Sequence, residues 1–170
     1  MPTLHVCSLA HLHETVASSG ASHMVTLINA ATVVERPASV AEDRHLFLGM
    51  SDIVDPLEGH ILPATEHVEK FLTFVTAWPR EQPLVIHCYA GVSRSTAAAF
   101  IAACALAPHR PEADIARALR QASPIATPNR RLVAVADDLM GREGRMVEAI
   151  DRIGRGCEAP HGEPFTLRLE

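Results

Sequence analysis

Residues 84–107 read LVIHCYAGVSRSTAAAFIAACALA, and this stretch decides how the rest of the chain is expected to fold. Residues 84–87 form a short apolar run after Pro83, which is typical of a buried strand. Residues 95–107 are rich in alanine and end at Pro108, so they predict a helix that is nearly buried. The stretch therefore predicts a strand, a tight loop and a helix start in direct succession.

The chain before this stretch alternates between the patterns of strands and helices. Residues 4–6, 24–28 and 45–50 are short apolar runs that predict strands. Residues 9–17 predict a short helix, and residues 64–78 carry apolar side chains at the helical period. This alternation predicts an α/β fold in which helices flank a central, mostly parallel sheet.

The chain after this stretch is predicted to be helical. Besides residues 95–107, helices are expected from Pro111 to the Ser-Pro pair at residues 123–124, from near Pro128, and over residues 146–153. The second half should therefore contain four helices, the first of them inside the quoted stretch.

Length and composition bound the possible functions. The 170 residues fit a single domain, expected over residues 1–155, and the Gly- and Pro-containing residues 156–170 predict a weakly structured tail. The net charge of −5 argues against a binder of nucleic acid or of anionic membranes. No apolar stretch reaches the roughly 18 residues of a membrane span, and the start lacks a signal-peptide pattern, so a cytoplasmic location is expected.

The loop at residues 88–94 has the composition of an anion site. Backbone N–H groups at a strand-to-helix junction can converge on an anion, and the helix N-terminus adds positive potential. Gly91 allows the loop to curl, and Arg94 can offer two parallel N–H bonds to phosphate oxygens. The candidate phosphate-binding residues are therefore Tyr89, Ala90, Gly91, Val92, Ser93 and Arg94.

Cys88 lies at the base of this loop. The helix N-terminus and Arg94 both favour its thiolate form, which is a nucleophile. Ser95 can donate a hydrogen bond to the sulfur when it leaves a phosphocysteine intermediate, and His87 can hold the loop by hydrogen bonding. These residues predict that Cys88 attacks a phosphate ester, with Arg94 and Ser95 as further catalytic candidates and His87 in a supporting role.

The sequence HCYAGVSRS at residues 87–95 closely resembles the His-Cys-x5-Arg-Ser signature of the protein tyrosine phosphatases, particularly the dual-specificity branch. Asp52 and the Pro128-Asn129 pair extend the resemblance over roughly residues 45–140. It implies a bacterial-type, cysteine-dependent phosphatase whose substrates are phosphorylated proteins or small phosphate esters. Phosphate, sulfate and vanadate would then be ligands of the site, and no cofactor is required.

A phosphatase of this class also needs a group that protonates the leaving oxygen. Asp52 and Asp55 compete for this role on the segment after the strand predicted at residues 45–50. Asp52 lies closer to the strand end, as the acid does in the family, whereas the sequence distance to Cys88 suits Asp55 slightly better. Asp52 is the preferred candidate, and the other carboxylate would then cap the turn before Pro56.

Other chemistry is less well supported by the residues. His60 and His67 have no evident third ligand, so no metal site is expected, and the four cysteines are expected to be reduced thiols. A sulfurtransferase-like persulfide carrier also holds a cysteine in an anion-binding loop, but Arg94-Ser95 and Asp52 favour the phosphatase. A non-catalytic pseudophosphatase, which binds phosphate without cleaving esters, is the third hypothesis.

Overall fold

A five-stranded sheet runs through the computed structural model, which describes residues 2–170. Its strands lie in the spatial order β3-β2-β4-β1-β5, and their bounds are β1 (Thr3–Cys7), β2 (His23–Ile28), β3 (His45–Gly49), β4 (Leu84–His87) and β5 (Phe165–Arg168). Strands β1 to β4 pair in parallel, whereas β5 runs antiparallel to β1. The predicted α/β fold with a central, mostly parallel sheet is confirmed.

Six α-helices flank this sheet within the described residues, namely α1 (Leu12–Ser19), α2 (Thr65–Ala77), α3 (Arg94–Leu106), α4 (Glu112–Ala122), α5 (Arg130–Leu139) and α6 (Arg145–Ile153). Short 3₁₀ turns precede α1 and β3 at Leu9–His11 and Glu42–Arg44. Helix α1 packs in a small apolar cluster on one face, and α2 to α6 contribute to the larger core on the other. None of the helices within residues 2–170 is long and apolar enough to cross a membrane.

Helix α3 lies at the centre of the larger core. All of its residues except Ala105 are buried, including Phe100 and Ile101. Alanine has the highest intrinsic helix propensity, and its small side chain lets neighbouring elements approach closely. This tight packing holds the N-terminus of α3 in a fixed position against the end of β4.

The C-terminal tail differs from the weak structure that the sequence predicted for residues 156–170. Residues Phe165–Arg168 form strand β5, and Leu167 and Leu169 are buried in the larger core. Four residues among glycines and prolines carry too little local pattern to predict a strand. The strand forms because the edge of β1 offers hydrogen-bonding partners and the core accepts the two leucines. The single-domain boundary at residue 155 stays a prediction.

The topology brings several segments to one edge of the sheet. Strands β1, β2, β3 and β4 run in the same direction, so the residues after their last positions lie side by side. These residues are Ser8, Asn29, Met50 and Cys88. Ligand sites of open α/β sheets form at such carboxyl ends.

Candidate active site

The loop at residues 88–93 connects the end of β4 directly to the first turn of α3. Cys88 is 2% exposed and lies at the base of this loop. Its Sγ atom accepts a hydrogen bond from the Gly91 N–H at 3.2 Å and lies 3.1 Å from Ser95 Oγ. Hydrogen bonds of this kind stabilise a thiolate, so the surroundings of the sulfur fit the nucleophile that the sequence predicts.

The carbonyl groups of the loop are held on its outer side by neighbouring segments. Cys88 O accepts from His87 Nδ1 at 3.0 Å, and Tyr89 O accepts from Leu9 N at 3.0 Å. Ala90 O, Val92 O and Ser93 O accept from the backbone N–H groups of Gly162, Thr127 and Asn129, at 2.7, 2.9 and 3.1 Å. In a planar trans peptide the C=O and N–H groups point in opposite directions. The outward carbonyls therefore turn the following N–H groups inward, which forms an anion-binding nest.

Gly91 is required at its position by the backbone. Its φ angle of +72° lies in the left-handed region, and a Cβ atom there would lie 2.9 Å from Ser8 N. A side chain would therefore be strained and would push the loop away from the end of β1. Gly91 keeps the loop against the sheet edge while its N–H contacts the sulfur.

Arg94 is the first residue of α3 and is buried. Its Nη1 donates to Asn29 Oδ1 at 2.7 Å and to Met50 O at 2.9 Å, so the ends of β2 and β3 fix the guanidinium. Its buried Nε has no hydrogen-bond partner within residues 2–170. An unpartnered buried donor is costly, and a phosphate oxygen in the loop would satisfy it.

His87 belongs to a chain of buried hydrogen bonds below the loop. Its Nδ1 faces a carbonyl and must donate, so its Nε2 accepts from Thr26 Oγ1 at 2.8 Å. Thr26 Oγ1 in turn accepts from His45 Nε2 at 2.8 Å. Burial lowers the pKa of His87 to about 4, which the hydrogen bond to Cys88 O partly opposes. The imidazole is therefore neutral at pH 7, and it orients the first peptide group of the loop.

Asp52 lies at the rim of the loop, where it contacts the other residues of the predicted site. Its Oδ1 accepts from Ser93 Oγ at 2.7 Å and from Asn129 Nδ2 at 2.8 Å. Asn129 caps α5, since its Oδ1 accepts from Leu132 N at 3.0 Å. The structure thus brings Asp52 together with the loop and with the Pro128-Asn129 pair. Within residues 2–170 Asp55 takes part in no such bond, and it lines a cavity beside Asp52.

Two cavities flank the Asp52–Ser93 pair. One of about 700 Å³ is lined by Asp52, Val92, Ser93 and Thr127 on one side and by residues 155–160 on the other. The second, of about 610 Å³, is lined by residues 52–57 and by residues 127–130. Both cavities share Asp52, Ser93 and Thr127. The cavities therefore meet at the rim of the loop, at Ser93, and Cys88 at its base lines neither of them.

The two histidines considered for a metal site have structural roles. His60 Nδ1 lies 3.1 Å from Ser51 Oγ, and Ser51 N donates to Ile61 O at 2.9 Å, so residues 55–63 fold back on Ser51. His67 Nδ1 accepts from Ala64 N at 3.0 Å and caps the start of α2. Among residues 2–170 no group of three or more metal-ligating side chains comes together.

Three residues of this site were not predicted from the sequence, namely Thr26, Asn29 and Gly162. Asn29 did carry a signal, because it is a polar residue directly after a strand of a parallel sheet. Thr26 lies inside an apolar strand, and its contact with His87 joins residues 61 positions apart. Gly162 approaches Ala90 only because β5 returns the chain to the sheet.

Comparisons with known proteins bear on the fold. No protein-family model and no curated protein matches the sequence. The crystal structure of DUSP15 is 14% identical, with a TM-score of 0.66, over 89% of this chain and 92% of that one. The Yvh1 phosphatase domain from Chaetomium thermophilum is 18% identical, with a TM-score of 0.65, over 84% and 93%. The human tyrosine phosphatase-like serine/threonine/tyrosine-interacting protein is 14% identical, with a TM-score of 0.63, over 82% and 92%.

Each of these matches extends over more than four-fifths of both chains. At identities of 14% to 18%, the likeness is one of fold. The chain therefore has the fold of the dual-specificity branch of the protein tyrosine phosphatases.

Proposed function

We propose that this chain is a phosphatase that hydrolyses phosphate monoesters of proteins through a phosphocysteine intermediate. The observation that carries the proposal is the setting of Cys88. Its sulfur lies between the Gly91 N–H and Ser95 Oγ, inside a loop of inward N–H groups that ends at a buried arginine with an unpartnered Nε. This combination provides an anion site with a nucleophile at its base.

In the first step the loop N–H groups and Arg94 bind the phosphate oxygens. Cys88 Sγ attacks phosphorus, the bond to the leaving oxygen breaks, and that oxygen takes a proton from Asp52. The hydrogen bonds from Ser93 and Asn129 both reach Oδ1, and within residues 2–170 no such bond reaches Oδ2. Oδ2 is therefore the oxygen that carries the proton.

In the second step a water molecule attacks the phosphocysteine. Asp52, now ionised, takes a proton from this water, and the S–P bond breaks to release inorganic phosphate and the Cys88 thiolate. Ser95 Oγ, 3.1 Å from Sγ, donates to the departing sulfur. The side chain that protonated the first leaving group thus serves as the base for the second.

The substrate class follows from the surroundings of the loop. The cavities of about 700 and 610 Å³ share Asp52 and Ser93 at the rim of the loop and give room for a peptide beside the bound phosphate, which supports a phosphorylated protein as the substrate. The loop contains no lysine to bind further phosphates, so highly phosphorylated inositols are disfavoured. Phosphotyrosine and phosphoserine or phosphothreonine esters are the candidates.

Turnover of an aryl phosphate by the wild type and by Cys88→Ser tests the proposal. The serine variant should lose turnover, because its hydroxyl is not ionised, yet it should still bind vanadate or phosphate through the loop. Turnover by Cys88→Ser near the wild-type rate would contradict the assignment of the nucleophile. A wild type that binds phosphopeptides but never hydrolyses them would instead be a pseudophosphatase.

Asp52→Asn and Asp55→Asn form a matched pair that identifies the acid. Asp52→Asn should lower kcat by roughly a hundredfold or more for phenyl phosphate, whose leaving oxygen needs a proton. The loss should shrink for nitrophenyl phosphate, whose oxygen leaves without one, and the basic limb of the pH profile should flatten. Asp55→Asn should behave like the wild type. If only Asp55→Asn shows the leaving-group dependence, Asp55 is the acid.

A further inference from the structure

The residues between α6 and β5, here called the strap (residues 154–164), run along the outer side of the phosphate loop. Arg120 Nη2 donates to Gly154 O at 2.7 Å, and Gly156 N donates to Thr127 Oγ1 at 3.1 Å. Farther along, Gly162 N donates to Ala90 O at 2.7 Å. The strap is therefore attached at its start to the α4–α5 side and at its end to the loop itself.

The contact at Gly162 is close enough to exclude any side chain. A Cβ atom on this buried glycine would lie 2.6 Å from Gly91 O. The φ angle of Gly162 is not in the left-handed region, so the need for glycine here is steric. The strap thus touches the loop backbone to backbone: the Gly162 N–H reaches the peptide group that joins Ala90 to Gly91, and its Cα faces the carbonyl of the next peptide group, Gly91–Val92.

The Ala90–Gly91 peptide group is the one whose N–H contacts the sulfur. Gly91 N donates to Cys88 Sγ at 3.2 Å, and the carbonyl of the same peptide is Ala90 O. A glycine tolerates φ angles of both signs, so the Ala90–Gly91 peptide can turn over at little steric cost. A turned peptide would direct the carbonyl oxygen toward the thiolate and repel it. A donor on Ala90 O therefore favours the orientation in which the Gly91 N–H faces the sulfur.

We propose that Gly162 is a positioning residue: its N–H holds the Ala90–Gly91 peptide so that Gly91 N–H stabilises the Cys88 thiolate. The reactivity of Cys88 thus depends on the C-terminal strand, because β5 pairs with β1 and buries Leu167 to keep the strap in place. This inference rests on the proposed function, since it takes Cys88 as the nucleophile.

The test measures the rate at which iodoacetamide alkylates Cys88 as a function of pH, in a Cys157→Ser background that removes the exposed thiol. Loss of one hydrogen bond to a charged sulfur corresponds to about a tenfold to hundredfold change in the equilibrium between thiol and thiolate. Gly162→Ala should therefore slow alkylation at pH 6 by at least about tenfold and move the midpoint of the profile upward by about one pH unit or more. Cooperative urea unfolding of Gly162→Ala, measured in parallel, shows that the variant is folded, so that a shifted midpoint reports on the loop and not on a general loss of structure.

A control variant separates this effect from disturbance of the strap in general. Glu163→Ala changes an exposed neighbour of Gly162 and leaves Gly162 itself unchanged. It should alkylate within about twofold of the wild type. An unchanged profile in Gly162→Ala, or an equal shift in Glu163→Ala, overturns the proposal.

If Gly162→Ala does not fold, the wild type provides the decisive measurement. If the Gly162–Ala90 hydrogen bond favours the loop conformation that binds anions, an anion in the loop must favour that hydrogen bond to the same extent. Vanadate should therefore slow amide hydrogen exchange at Gly162 by about tenfold or more. Exchange at Gly162 that is insensitive to vanadate overturns the inference while leaving the phosphatase intact. A wild-type Cys88 that neither reacts at pH 6 nor supports turnover removes the proposed function and this inference together.

Discussion

Acidification should destabilise the fold through His87. This side chain is buried beneath the phosphate loop, and burial lowers its pKa from the usual 6.5 to about 4. Between these two values the unfolded chain holds a proton on His87 that the folded chain does not. The unfolded state then binds more protons, so the free energy of unfolding falls as the pH falls from 6.5 and stops falling below about 4.

The size of this effect follows from the shift. One pH unit corresponds to about 1.4 kcal/mol for one proton, so the interval from 6.5 to about 4 gives a loss of about 3 kcal/mol. That is a large fraction of the roughly 5–15 kcal/mol that stabilises a typical domain. Most of the loss should already be visible between pH 6.5 and pH 4.5.

Urea unfolding followed by tryptophan fluorescence measures it, because the single tryptophan, Trp78, is buried in the core. Wild type and His87→Gln are compared at several pH values from 7 to 4. The variant should have a lower free energy of unfolding at pH 7. Its free energy of unfolding should also fall less steeply with falling pH, by about 1.4 kcal/mol per pH unit, which is the slope for one proton. Burial also lowers the pKa values of His5, His23 and His67, which share no hydrogen bond with His87 and contribute equally to both proteins. His45 is joined to His87 through Thr26, so both proteins are compared in a His45→Gln background. Parallel curves for the two proteins would refute the reasoning.

Two further predictions concern the loop. Arg94→Lys keeps the charge but loses the planar guanidinium, whose Nη1 is fixed by Asn29 and Met50 and whose Nε is left for a phosphate oxygen. The kcat/KM for an aryl phosphate should therefore fall by roughly a hundredfold, and a normal rate would contradict the role of the guanidinium. Peroxide should abolish the proposed phosphatase activity by oxidising Cys88 first, with recovery under thiol reductants, and mass spectrometry identifies the site. Cys7 and Cys104 should resist, because burial raises their pKa values to about 11 and about 12; earlier oxidation of either would count against an activated Cys88.

The sequence was most informative where the structure depends on neighbouring residues. The apolar run before Cys88, the glycine in the loop and the alanine-rich stretch after Arg94 are contiguous, so local backbone preferences predict strand, loop and helix together. The alternation of strands and helices in the first half likewise predicted the α/β class and the mostly parallel sheet. These features need no knowledge of which distant segments meet.

Contacts between distant segments required the tertiary structure. Asp52 and Asp55 are three positions apart on one loop, and only the folded chain brings Asp52 to Ser93 and Asn129, 41 and 77 positions away. Strand β5 has four residues and forms because β1 presents an unpaired edge, which no local pattern reveals. The Gly162 hydrogen bond to Ala90 depends in turn on that strand. The sequence alone thus determined the fold class and the loop that holds Cys88, whereas the tertiary structure decided which residues contact that loop, since these contacts arise from packing between remote segments.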